Sequence, residues 1–161
     1  MMESISFEEL LARDGRLVYT NKGVSMLPLL RQNRDLMVIE KYAGQPLKRL
    51  DSVLFRRMSR DGCTPYVMHR ILRVNQNGTY FIAGDNCFTG ETVAERQILG
   101  VLTAVRRNGK TIRMTDFSYR LYSHLWGDCW PMRFFILRLR NFLFRYAAAA
   151  KRRLFGKQRR N

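Results

Sequence analysis

A chain of 161 residues is long enough for one compact core and too short for two ordinary domains joined by a linker. Lys and Arg number 29 against 13 Asp and Glu, and the resulting net charge of +16 points to phosphate, in nucleic acid or in lipid headgroups. Cys63, Cys87 and Cys129 stand far apart with no CxxC pair, which argues against a zinc site and a disulfide framework, so no metal and no cofactor is expected.

Residues 1–14 carry Glu3, Glu8, Glu9 and Asp14 and no apolar run of leader length, so no secretory leader is expected. Ser6 followed by Glu9 makes a capping box ahead of Phe7, Leu10 and Leu11, which predicts a short helix over 6–12 ended by Asp14-Gly15. Short runs rich in Val, Leu, Ile and Tyr then predict strands over 16–20, 35–42, 52–57, 66–75, 79–83, 98–107 and 111–115. Asn77-Gly78 and Asn108-Gly109 sit between consecutive runs as hairpin turns, so the middle of the chain reads as antiparallel β.

Near Asp116 the composition changes to an aromatic, arginine-rich segment. Residues 117–161 hold 11 of the basic side chains against one acid, Asp128. This gives a two-part organisation, a β domain over 1–116 and a basic helical extension over 117–161, with a helix over 131–155. On that helix Arg138, Arg145 and Arg152 form one stripe and Arg133, Arg140 and Lys151 another. The apolar face between them, with Phe135, Leu139, Phe142, Leu143 and Tyr146, is matched by a second one with Phe134, Leu137, Phe144 and Ala148. The pattern leaves open whether both faces are buried or one meets a bilayer surface or a partner. The arginines interrupt the only long apolar run, so no membrane span is expected.

Three separated stretches carry the chemistry. Gly23-Val24-Ser25-Met26-Leu27-Pro28 holds a serine between a flexible glycine and a rigid proline, a turn able to fix a hydroxyl in place. Tyr66-Val67-Met68-His69-Arg70-Ile71 puts a histidine on a strand whose hairpin partner ends at Gly84-Asp85-Asn86, so a base and a carboxylate come within reach. A serine hydroxyl needs a neighbouring base, imidazole suits that role near neutral pH, and a carboxylate behind the ring fixes its tautomer. Ser25 is thus the candidate nucleophile, His69 the base and Asp85 the orienting acid. Gly23, Val24 and Met26 are the expected substrate and oxyanion contacts, with oxyanion stabilisation expected from backbone N–H groups near Ser25.

The run Gly23 to Leu29, then Asp35-Leu36-Met37-Val38, Asp51-Ser52-Val53-Leu54-Phe55, His69-Arg70-Ile71, Gly84-Asp85-Asn86 and Ile98-Leu99-Gly100-Val101 resembles the box order of the S24/S26 peptidase superfamily. Within it the chain is similar to type I signal peptidases of the endoplasmic-reticulum and archaeal branch, whose base is histidine in a Val-x-His-Arg context, here Val67-Met68-His69-Arg70. The resemblance implies a mainly β, signal-peptidase/LexA-like antiparallel β-barrel-type fold, and cleavage of a leader peptide from a precursor protein. It departs from the family in Arg34-Asp35 and Leu50-Asp51 where Gly-Asp is usual, in Gly23 where a hydroxyl is common, and in the lack of a spanning helix ahead of Ser25. Glu91 stands in reserve where some relatives carry a second acid, while Cys87 and His124 are expected to play no catalytic part. A repressor-type self-cleaving regulator is disfavoured by the histidine. The expected partners are a precursor peptide and an anionic membrane surface met through 131–160, with no specific nucleic acid, and the expected location is peripheral to a membrane or cytoplasmic. The alternative is a catalytically inactive member acting as a basic membrane- or nucleic-acid-binding module.

Overall fold

The computed structural model describes residues 5–57, 66–128 and 130–157; Cys63, Cys129 and 158–161 of the basic tail lie outside the described residues. The chain divides into two compact units, Met1–Gly127 and Asp128–Asn161.

The first unit opens with helix α1 (Phe7–Asp14), entered through Ser6, whose hydroxyl accepts from the Glu9 N–H at 3.1 Å while Glu9 accepts from the Ser6 N–H at 2.8 Å. Gly15, at φ 66°, donates to the Leu11 carbonyl and ends the helix in the left-handed conformation that glycine adopts without strain. Eight strands follow: β1 (Arg16–Thr20), β2 (Asp35–Lys41), β3 (Ser52–Arg56), β4 (Tyr66–Val74), β5 (Thr79–Ala83), β6 (Glu91–Ala94), β7 (Ile98–Arg107) and β8 (Lys110–Arg113). Every pairing is antiparallel, in the order β1-β2-β7-β3-β4-β5-β6, with β8 also against β7.

Central strand β3 is buried along Ser52–Phe55 because both sheet faces are covered. Leu54 points into a core with Leu11, Met26, Leu30, Met37, Met68 and Leu102, whereas Val53 and Phe55 point into a second core with Ile71, Ile82 and Val93. The β7–β8 hairpin turns on Asn108 and Gly109, at φ 49° and 76°, and two positive φ values match the type I′ geometry that the right-handed strand twist favours.

The sheet is not closed into a barrel, which corrects the barrel-type expectation. Bulges at Val38/Ile39, Leu54/Phe55 and Ile71/Arg73 bend it, but no pairing joins edge strands β1 and β6 among the described residues. Helix α2 (Phe117–Asp128) lies almost wholly in the first unit, although composition groups it with the extension. Its buried residues Tyr119, Ser123 and Gly127 recur every fourth position and form one stripe. The second unit holds helix α3 (Trp130–Lys157).

Candidate active site

The nucleophile turn is held at both ends. At its start the Asn21 side chain donates to the Gly23 carbonyl at 3.0 Å, and Gly23 takes φ 95°, open to glycine alone without strain. After Ser25, the fully buried Met26 and Leu30 anchor the turn in the first core. At its end the buried Asp35 accepts from the Arg31 N–H and from the guanidinium groups of Arg34 and Arg107, while Arg107 also donates to the Leu29 carbonyl at 2.6 Å. Burial opposes ionisation of Asp35, but these donors outweigh it and hold its carboxyl well below the usual carboxylate range.

The segment after β5 meets this turn. Asn86 donates its backbone N–H to the Ser25 carbonyl at 2.7 Å and its side-chain amide to the Val24 carbonyl at 2.9 Å. Gly84 is the pivot. A Cβ placed on it would lie 2.6 Å from the Ser25 carbonyl oxygen, 2.8 Å from Cys87 Sγ and 2.9 Å from His69 Nε2, so one point in space touches all three residues and only glycine fits there. Ser25, His69 and Cys87 line one groove of about 450 Å³, whose apolar wall includes Phe7, Tyr19 and Tyr66. Phe7 packs on both tyrosine rings at 4.7 Å, and Tyr66 donates to Glu8, so α1 supplies part of the wall. Burial, reinforced by the Glu8 carboxylate, pushes the Tyr66 hydroxyl up to about 12.

Ser25 and His69 line the same groove; Asp85 is engaged elsewhere, and its expected place behind His69 needs correction. Adjacent β4 residues point to opposite faces, and Asp85 meets the face that carries Arg70. Arg70 Nε and Nη2 donate to its two carboxylate oxygens at 2.8 and 2.7 Å, both side chains being fully buried. Tyr122 donates to the same carboxylate at 2.8 Å, Trp126 donates to the Asp85 carbonyl at 2.8 Å, and Arg70 Nη1 reaches the Leu50 carbonyl, Tyr119 and Ser123. Burial and the neighbouring Asp85 both push the Tyr122 hydroxyl up, which keeps it a donor at any working pH. This saturated network locks the backbone just beyond His69 to the Gly84–Asn86 segment.

The carboxylate that faces His69 is Glu91, on β6, with Oε1 3.6 Å from Nδ1. Arg57 binds Glu91 with two nitrogens, Nε at 3.0 Å and Nη2 closer still. This fork fixes the carboxylate in the groove wall. Sequence reasoning held Glu91 only in reserve; the pointer to it is its spacing of six residues past Asp85 on the chain that returns from the Gly84 turn.

Of the backbone donors expected around the oxyanion, the Gly23 N–H points to Gln32 Oε1 at 3.4 Å. A second cavity of about 450 Å³ lies beside Asp51, Ser52, Tyr119 and Ser123, next to groups that hold Arg70. Comparison with protein families, curated proteins and solved structures finds no match for this chain.

Proposed function

We propose that the chain is a serine endopeptidase, similar to signal peptidases of the histidine-base type, that removes a leader peptide from a precursor protein. One observation carries this reading: the close approach at Gly84 joins the Ser25 turn and His69 Nε2 in a single groove. In the proposed reaction Ser25 Oγ attacks the scissile carbonyl as His69 Nε2 takes its proton, and the imidazolium returns that proton to the leaving amine. Water then hydrolyses the acyl-serine by the same base. Glu91, 3.6 Å from Nδ1, stabilises the imidazolium through its charge, and Asp85 acts indirectly by fixing Arg70 and the Gly84 turn.

Strand β1 ends the sheet path and leads directly into the Ser25 turn, so an extended substrate gains main-chain partners on its outer edge and sets apolar side chains against Phe7, Tyr19 and Tyr66. Among the described residues no helix is long and apolar enough to cross a membrane, and the proposed location is the membrane periphery, where leader peptides emerge. The test is hydrolysis of a synthetic leader-peptide substrate by the wild-type chain and by Ser25→Ala and His69→Ala. Hydrolysis is expected to vanish in both, and in the wild type to fall as pH drops through the imidazole range of about 5 to 8, whereas a lysine base would move that fall to higher pH. A wild-type chain that cleaves no peptide while still binding vesicles returns the protein to the inactive alternative.

A further inference from the structure

Helix α3 carries a stripe of exposed apolar side chains. Phe135, Ile136, Leu139, Phe142, Leu143 and Tyr146 are between 37 and 71 % exposed, and at 100° per residue they fall in one arc of about 120°. Along the axis the stripe runs about 16 Å. Exposed Arg138 and Arg145 border it on one side and Arg140 on the other, and Phe144, outside the arc, is exposed as well. Residues 130–157 hold eight Lys or Arg and no acid.

We infer that this stripe is a docking surface for the face of an anionic phospholipid bilayer, with the helix lying in the interface plane and the arginines meeting lipid phosphates. Three observations choose this occupant. Arginines recur through Arg138, Arg140 and Arg145, so the helix lies flat instead of crossing. A second copy of the chain would set two arginine rims against each other with no acid over 130–157 to pair them. A nucleic acid offers Ile136, Leu139 and Leu143 no apolar surface to enter, whereas the acyl boundary does. The stripe is independent of the peptidase reading, and its test does not read hydrolysis.

The experiment is co-flotation of the full chain with vesicles of phosphatidylcholine alone or mixed with phosphatidylglycerol, at rising salt, for the wild type and for two double variants, Phe142→Ser with Leu143→Ser and Arg138→Glu with Arg145→Glu. The wild type is expected to bind the mixed vesicles and not phosphatidylcholine alone, with affinity falling as salt rises. Each double variant is expected to lose more than about tenfold in affinity. All four positions are exposed, so melting curves should match; if one double variant melts early, Leu143→Ser and Arg145→Gln alone carry the test with the same sign. Equal binding to both vesicle types, unchanged binding by the variants, retention on RNA in place of vesicles, or a dimer in light scattering that Phe142→Ser abolishes would each overturn the inference.

Discussion

Gly84→Ala is the sharpest perturbation of the proposed site, because it adds one methyl group where three residues converge. The new Cβ would stand 2.6 Å from the Ser25 carbonyl oxygen and 2.9 Å from His69 Nε2, both far inside van der Waals contact. Gly84 is not among the glycines with positive φ, so the substitution tests the contact and not backbone strain. Neither neighbour yields easily: Ser25 is tied to Asn86 by the 2.7 Å hydrogen bond, and His69 is buried on β4. Overpacking of this kind costs about 1–3 kcal/mol, which for a chain of this size lowers the melting temperature by about 2–12 °C. The relief must move the Ser25 turn or the imidazole by several tenths of an ångström, and an error of about 1 Å in a reacting group can cost about 10²-fold in rate. Calorimetry and single-turnover acylation by a fluorophosphonate are the assays, with Ser25→Ala as the control that abolishes acylation while leaving the melting temperature near wild type. A Gly84→Ala protein that reacts and melts like the wild type would refute the convergence of these segments.

Other substitutions separate roles that sequence alone merged. Asp85→Asn strands the buried Arg70 charge and should destabilise the chain by about 3–5 kcal/mol in denaturant titration, whereas Glu91→Gln, at a more exposed carboxylate, should keep most of the stability and lower the acylation rate. The carboxyl of Asp35 is held below its unfolded value, so its stabilisation is fully present above about pH 4 and drains away as pH falls through the folded value; urea titration from pH 6 to 2 should show a steeper acid loss in the wild type than in Asp35→Asn. Gly109→Ala puts a side chain at φ 76° in the β7–β8 turn and should cost about 1 kcal/mol with no effect on acylation.

Much of the fold was legible because its signals are local. The Ser6 capping box, Gly15, the Asn108-Gly109 turn and the β-branched runs fix α1, the hairpin and seven of the strands within a residue or two. Strand β6 escaped notice because Glu91-Thr92-Val93-Ala94 is short and buries only Val93, so it shows neither alternation nor an apolar run. Helix α2 was missed for a different reason: its buried stripe of Tyr119, Ser123 and Gly127 faces a buried arginine and carries no apolar period. That Ser25 and His69 line one groove could be read from the hairpin that links His69 to Gly84. That Glu91 and not Asp85 faces His69 could not, because it depends on which face of β4 each carboxylate reaches, and a one-residue step along a strand reverses that face.

The most direct test of a Ser25–His69 pair is to locate the fluorophosphonate adduct by peptide mass spectrometry in the wild type, His69→Ala and Cys87→Ala. A single adduct on Ser25 is expected, absent in His69→Ala and retained in Cys87→Ala. An adduct on any other residue, or one on Ser25 that forms at the same rate without His69, would contradict it.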